Sequence, residues 1–438
     1  MLGARRRLSR CRLDVACAGL VNRRNKAHTG VGPVCALLAD FGADVPYYFL
    51  YSHRLPWIFS PNRYSSRVTE LKWSGTALLD LSSSNPVSAG FDYPHREISD
   101  AFSTVQDFSY EPDAAGTRVA REAVAGYYRV RGCDVPLDRI FLTASTSEAY
   151  SQLFKLLCDP GDEVLTPSPS YPLFEYLAAL DSVRPVSYRL RYDGNWHVDF
   201  RTLAERVTSR TRAIIIVDPN NPTGSFLTAH DADALLQFAA ERGLAVIADE
   251  VFLDYEITDA RDRVKTFINR DGPLIFSLNG LSKSAGMPQM KLGWIVLSGP
   301  EAEQQRARER LELVLDTYLS VNTPVQASAA ALLAVGERMA GQILDRTRTN
   351  YKALKRQLAG SAAHPLHTEG GWSAIVQLPH TRTEDEWLFS FLEEEKVIAQ
   401  PGYYFDMEAE AYLVVSLITP PEIFAEAIAR LGRLVSST

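Results

Sequence analysis

The chain predicts an α/β fold: a large domain with a mostly parallel, seven-stranded-type sheet between helices, then a smaller α+β domain. Three observations carry this expectation. Runs such as Ala213–Val217 and Ala245–Ala248 are apolar at every position, which is how strands buried on both faces read. Segments of helical length separate the runs, as parallel crossovers require. Each run also ends in a polar cluster, and open parallel sheets bind ligands beyond the carboxyl ends of their strands.

The first 52 residues stand apart, with eight Arg or Lys against three Asp and with Arg5, Arg6, Arg7, Arg10 and Arg12 all preceding Asp14. This bias resembles a targeting leader followed by the apolar Val15–Val21, but the favoured reading is a disordered extension or a start assigned too far upstream. From His53 the chain becomes regular. Leu78–Leu81 is a short strand leading to the polar loop Ser84-Asn85-Pro86. Arg139–Thr143 precedes a helix from about Glu148 to Leu157, and Glu163–Thr166 precedes Pro167-Ser-Pro-Ser-Tyr171 and another helix. Ala213–Val217 runs into Asp218-Pro-Asn-Asn-Pro-Thr-Gly224, Ala245–Ala248 into Asp249-Glu250, and Leu274–Ser277 towards Lys283. A charge-rich helical stretch is expected from about Glu301 to Leu354. The C-terminal part holds the apolar Gly370–Leu378, a strand at Tyr412–Leu417 and an amphipathic helix from Pro421 to Leu434.

The 438 residues, 46% hydrophobic and 23% charged, suit a soluble enzyme of two or three domains. A net charge of -7 offers no basic face to nucleic acid, and the apolar runs are too short to span a bilayer. Cys11, Cys17, Cys35, Cys133 and Cys158 contain no CxxC spacing, so neither a disulfide framework nor a zinc site is indicated. A cytoplasmic protein with no metal is expected.

Lys283, in Ser277-Leu-Asn-Gly-Leu-Ser-Lys-Ser-Ala-Gly286, follows a buried strand at a place where its amine can form a Schiff base with an aldehyde cofactor. Asp249 follows four apolar residues, where a carboxylate is costly to bury without a partner; a pyridinium nitrogen is one such partner, and capping of the next helix is the bland alternative. Asn221 in Asn220-Asn-Pro-Thr-Gly224 offers an amide donor, although alone such a segment is ordinary turn chemistry. Tyr171 is suited to lie on a planar ring or to pack in the core. Ser145-Thr-Ser-Glu148 has capping-box spacing, and the helix start it marks is also a phosphate site. Taken together these are the needs of pyridoxal phosphate: an imine-forming lysine, a carboxylate for the ring nitrogen, a donor to the phenolic oxygen, an aromatic plate and a phosphate cradle.

As a set, Asn221-Pro-Thr-Gly224, Asp249-Glu250 and Ser282-Lys283 followed by Lys291-Leu-Gly-Trp294 resemble the class I/II aminotransferases, pyridoxal-phosphate enzymes of fold type I. The resemblance extends over residues 53–438. It implies that Lys283 is the imine lysine and proton shuttle, Asp249 the pyridinium partner, Asn221 the donor to the phenolic oxygen and Tyr171 the ring plate. It assigns Ser145, Thr146, Ser147, Ser282 and Lys291 to the phosphate, and Tyr110 to a site completed across a homodimer. The organisation it implies is an extension over 1–52, a segment over 53–85 packing with the small domain, a cofactor-binding domain over 86–320 and a small domain over 321–438.

Four positions depart from the family pattern. Phe252 stands where a tyrosine is usual, Lys291 where an arginine binds phosphate, and Gly280 where a serine precedes the lysine by three. Most consequentially, Val414 occupies the position of the arginine that binds the substrate carboxylate. Asn85, or a relocated arginine such as Arg63 or Arg96, is the expected substitute. The resulting reading is a ping-pong aminotransferase acting on an amino donor and a 2-oxo acid acceptor. A β-lyase or decarboxylase on the same fold is the enzymic alternative, and a non-catalytic descendant that binds a ligand is the alternative of another class.

Overall fold

A computed structural model describes residues 51–55, 61–103, 105, 110, 112–260, 262–409 and 411–437. The expectation of an N-terminal extension falls on residues 1–52, nearly all of which lie outside that set. The chain divides into units Met1–Ala77 and Leu78–Thr438. In the first, α1 (Arg63–Trp73) begins at Asn62, whose side chain accepts the Ser65 N–H at 2.7 Å and so satisfies one of the free donors of the first turn.

The second unit holds the rest of the fold. Its strands are β1 (Leu79–Asp80), β2 (Ile140–Thr143), β3 (Glu163–Ser168), β4 (Arg184–Tyr192), β5 (Trp196–Val198), β6 (Thr211–Val217), β7 (Ala245–Asp249), β8 (Ile275–Gly280), β9 (Gly293–Ser298), β10 (His364–Pro365), β11 (Ser373–Gln377), β12 (Val397–Ile398), β13 (Gln400–Pro401) and β14 (Tyr412–Ser416). The main sheet has the order β2-β9-β8-β7-β6-β3-β4-β5. Its inner pairings, from β4 through β3, β6 and β7 to β8, are parallel, whereas β9, β2 and β5 join antiparallel. The strand beyond the expected seven is β5, which returns on β4 as a hairpin.

Helices α2 (His95–Ser103), α3 (Arg118–Arg129), α4 (Thr146–Leu157), α5 (Phe174–Leu180), α6 (Phe200–Arg206), α7 (Ala229–Glu241), α8 (Leu281–Ser284) and α9 (Glu301–Tyr318) accompany this sheet in the chain. Period-two alternation divides the strand residues between its two faces. Ile215, Val217, Ile247 and Phe276 pack with Leu153 and Phe154 of α4 and Leu311 of α9. Ile214, Ile216 and Val246 pack with Leu203 of α6 and Leu235 and Leu236 of α7 on the other face.

The helical stretch expected over Glu301–Leu354 is broken. Helix α9 ends at Leu319, which takes a left-handed φ of 44°. Asn322 then caps α10 (Thr323–Ala327), with Pro324 in its first turn, before the long α11 (Ala329–Gln357) begins. Asn322-Thr-Pro324 is a helix-start signal, and it overrides the charge pattern running across it. A second, antiparallel sheet of order β10-β11-β14-β13 follows, with α12 (Glu384–Glu393) and α13 (Pro421–Ser436). Helix α12 starts with a complete capping box between Thr383 and Glu386. Among the described residues no helix is long and apolar enough to cross a membrane.

Candidate active site

Strands β6 and β7 end side by side, with Val217 beside Asp249, and β8 passes Asp249 at Leu278 before ending at Gly280. The polar segments after them therefore come to one edge of the sheet. Asp249 is 8% exposed. One carboxylate oxygen accepts the Tyr150 hydroxyl at 3.0 Å and the other the Val251 N–H at 3.2 Å. Burial pushes its pKa up to about 6, against the Val251 and Tyr150 hydrogen bonds and the Lys283 charge, which hold it down. The two neighbouring acids are buried further: burial raises Asp218 to about 7 and Glu250 to about 8. Glu250 is turned to the loop beyond, accepting the Phe267 N–H at 2.6 Å and the Thr266 hydroxyl at 2.9 Å.

Lys283 lies on the single turn of α8 directly after β8. Its amine is 4.8 Å from the centroid of Trp372 and 5.6 Å from that of Phe252, and these two rings meet edge to face at 5.3 Å. An ammonium over aromatic faces is held electrostatically while the rings exclude water. Tyr255 donates its hydroxyl to the Lys283 carbonyl and meets Trp372 edge to face at 5.2 Å, bracing the turn. The hydroxyl-free Phe252 thus acts as a wall of the lysine's aromatic enclosure.

Asn221 sits in a turn built by its neighbour. Asn220 accepts the Thr223 hydroxyl at 2.9 Å, and its carbonyl takes the Gly224 N–H at 2.8 Å. Gly224 has φ +66°, and a Cβ there would stand 2.5 Å from the Gly370 carbonyl oxygen. That close approach joins the turn to the start of β11, where the Ser373 hydroxyl donates to Asn221 Oδ1 at 3.3 Å. With the oxygen occupied, the Asn221 NH₂ is the end available to an acceptor.

At the phosphate end, Ser145 caps α4 by accepting the Glu148 N–H at 3.1 Å. The expected capping box is only half made, because the Glu148 carboxylate takes the Ala144 N–H and the Ser320 hydroxyl instead. The first-turn N–H groups of Thr146 and Ser147 stay outside the helix ladder, at the positive end of its dipole. The departure at Gly280 has a steric reason here. A Cβ on Gly280 would lie 2.9 Å from both the Gly293 Cα and the Leu292 carbonyl oxygen, and one on Gly293 would lie 3.2 Å from the Thr146 N. Two bare backbones let the strand leading to Lys283 approach the start of α4.

Tyr171 is 39% exposed and meets Phe174 edge to face at 6.3 Å; Phe174 in turn meets Tyr150 at 5.1 Å. Ring contacts through Phe174 and a hydrogen bond thus link Tyr171, Tyr150 and Asp249, while Lys283, Phe252 and Trp372 cluster beside the Ser373–Asn221 pair; the Lys283 charge acts on Asp249 between them. Ser282 is half-buried beside Lys283, while Lys291 is exposed with a left-handed φ of 55°. Asn85 is exposed and uses its oxygen to cap its own turn at Val87. Tyr110 is 72% exposed.

Sequence reasoning missed Tyr150, Tyr255, Trp372 and Ser373. Trp372-Ser373 after a Gly-Gly pair was the available signal; Tyr150 and Tyr255 look like ordinary core aromatics until the strands are in register. Val414 is 1% exposed and pairs across the small sheet with Ile375 and Gln400. Arg96, one expected substitute for the missing arginine, has a 94% exposed side chain and lies along its own helix towards Asp100. It is turned to solvent rather than to a buried carboxylate.

These residues fit pyridoxal phosphate: a buried carboxylate with lone pairs to spare, a half-buried lysine beside two aromatic rings, an oriented amide and a helix N-terminus at one sheet edge. The family description "Aminotransferase class I and II" matches residues 78–431. The glutamate-pyruvate aminotransferase AlaA of Haemophilus influenzae is 25% identical over 84% of this chain and 92% of its own length. The alanine aminotransferase of Mycobacterium bovis is 27% identical over 84% of this chain and 87% of its own. In structure, the alanine aminotransferase from Pyrococcus furiosus superposes with a TM-score of 0.78 at 24% identity, over 89% of this chain and all of that one. With strand order, site and family description in agreement, this chain belongs to the class I and II aminotransferases, enzymes that depend on pyridoxal phosphate.

Proposed function

We propose that Lys283, Asp249, Asn221 and Tyr171 form the reacting centre of this aminotransferase. The observation that carries the assignment is Asp249: a buried carboxylate, held by Tyr150 and Val251, at the end of a strand whose neighbour leads into Lys283. Bound pyridoxal phosphate supplies a carbonyl for the incoming amine and a ring that takes up electrons. In this reading Lys283 holds that carbonyl at rest and then carries the proton lost from the substrate carbon. Asp249 keeps a proton on the ring nitrogen, Asn221 donates to the phenolic oxygen and Tyr171 covers the ring. Ser145, Thr146, Ser147, Ser282 and Lys291 surround the phosphate, with lysine neutralising it as a point charge rather than a fork. Residues 86–320 are then the cofactor-binding domain and 321–438 the small domain. The exposure of Tyr110 supports a homodimer in which that ring reaches a neighbouring subunit, and the sparse cysteines support a cytoplasmic enzyme.

The amino donor follows from Val414. Val414 leaves β14 without a charge where the family's arginine binds the substrate carboxylate, and loss of an arginine fork typically costs about 2 to 5 kcal/mol of binding. Unless a relocated cation such as Arg63 meets the carboxylate, simple α-amino acids are therefore poor donors, and amines or amino compounds with a neutral polar group are better ones. The names of the relatives favour a second reading, with alanine and glutamate as donors. Stopped-flow half-reactions against alanine, glutamate, amino alcohols, amino amides and simple amines decide between them. Saturation by alanine or glutamate at sub-millimolar concentration overturns the first reading.

A further inference from the structure

Tyr150 has no part in holding phosphate, although it lies on the helix whose first turn is read as the phosphate cradle. Its ring is fixed in the core at 2% exposure, 6.0 Å from Phe154 and 5.1 Å from Phe174. Packing alone would be served equally by phenylalanine. The hydroxyl instead crosses from the helix to the end of β7 and donates to Asp249 Oδ2. A phenol has one proton to give, and here it is given to the carboxylate that faces the cofactor.

We propose that Tyr150 is a positioning residue for the ring-nitrogen partner: its hydroxyl orients the Asp249 carboxylate and keeps it ionised, so that the proton shared with the cofactor ring stays on the ring nitrogen. The inference rests on the reading of Asp249 as that partner. One proton lies between two bases, carboxylate and ring nitrogen, and its position follows their relative basicity. A donor on the far carboxylate oxygen lowers the basicity of the near one and moves the proton to nitrogen. The Val251 N–H acts in the same sense on Oδ1. The other charged groups near Asp249 are Lys283 on α8, which favours ionisation, Glu250, whose charge and that of Asp249 oppose each other, and Asp218. Asp218 approaches most closely through the backbone, its N–H donating to the Asp249 carbonyl at 2.9 Å. Glu250 is itself raised by burial to about 8, so its repulsion is weak at neutral pH. The Val251 N–H, Tyr150 and Lys283 then hold Asp249 towards ionisation, and its own value of about 6 leaves little margin. Removing a hydrogen bond to a buried charge raises such a value by about one to two pH units, which is enough to protonate the group near neutrality.

The test is Tyr150→Phe in the full chain, compared with Asp249→Asn. With pyridoxal phosphate carrying ¹⁵N in its ring, the parent should give a pyridinium resonance and Tyr150→Phe one displaced towards neutral pyridine. In the same chains stripped of cofactor, the infrared carboxyl band that disappears in Asp249→Asn should titrate about one to two pH units higher in Tyr150→Phe. Substituting 3-fluorotyrosine for Tyr150, a stronger donor in the same shape, should move both signals the opposite way. The inference is overturned if the infrared midpoint stays within a few tenths of a unit of the parent, or if it moves while the ring nitrogen does not. A pyridinium resonance unchanged in Asp249→Asn would instead remove Asp249 from the ring, and this inference with it. A packing role alone would move thermal stability and leave both spectroscopic readouts in place.

Discussion

At the residue scale the decisive feature is an amine between two aromatic rings and a carboxylate braced by a phenol. Replacing Lys283 by alanine removes the positioned proton carrier, so turnover should fall by about 10²- to 10⁴-fold at least. The phosphate contacts should still retain cofactor in that variant, as absorbance after gel filtration would report. Near-normal transamination by Lys283→Ala would refute the assignment. Asp249→Asn should slow proton abstraction in a single-turnover half-reaction while cofactor remains bound. Rates equal to the parent would remove Asp249 from the ring. That Lys283, Asp249 and Asn221 come to one edge of the sheet was legible in the sequence, because Lys283 and Asp249 follow apolar strands and Asn221 opens a turn set by Pro222 and Gly224. Tyr150, Trp372 and Tyr255 were not, because an aromatic residue in a helix or loop carries no mark of what it faces until the strands are in register. Val414 was visible as a missing charge, but what meets the substrate in its place depends on side chains brought together by different parts of the chain.

At the element scale the site depends on two places where backbones touch. Gly224 lies against the Gly370 carbonyl and Gly280 against Gly293. Gly224→Ala combines a left-handed φ with a Cβ 2.5 Å from that carbonyl oxygen, so the Asn221 turn must move. A loss of stability of about 1 to 3 kcal/mol is expected, with a weakened cofactor affinity. Chemical denaturation and cofactor titration measure the two effects, and an unchanged denaturation midpoint would contradict the close approach. Gly280→Ser, which restores the residue usual in the family, should also destabilise this chain, since its Cβ would meet Gly293 and Leu292. The parallel strands were readable because both-face burial leaves apolar runs such as Ile214–Ile216. The short antiparallel additions β5 and β13 were less so, being only a few residues long. The break between α9 and α11 was hidden under a continuous charge pattern, although Asn322-Thr-Pro324 records it.

For the molecule as a whole, three buried carboxyls at one sheet edge make stability depend on pH. Asp249, Asp218 and Glu250 are raised to about 6, 7 and 8, above the values near 4 of unfolded carboxyls. Between these limits the folded chain binds more protons than the unfolded one. Their contribution is therefore fully present below pH 4 and is lost as pH rises through about 6 to 8. Asp162, Glu386 and Glu426, lowered by hydrogen bonds from Arg212, Thr383 and Arg430, contribute in the opposite sense at acid pH. In the cofactor-free chain, Glu250→Gln should reduce the fall in Tm between pH 6 and 8 by about a few degrees. A fall as steep as the parent's would mean that Glu250 is ionised throughout.

The central claim is that Lys283 is the lysine joined to the cofactor carbonyl, and trapping that bond tests it most directly. Borohydride reduction of the protein loaded with pyridoxal phosphate, followed by proteolysis and mass spectrometry, should find the pyridoxyl group on the peptide containing Ser282-Lys283-Ser284. The same treatment of Lys283→Ala should leave that peptide, and every other, unlabelled. Stoichiometric label on a different lysine, or none on Lys283 while the protein transaminates normally, would contradict the account.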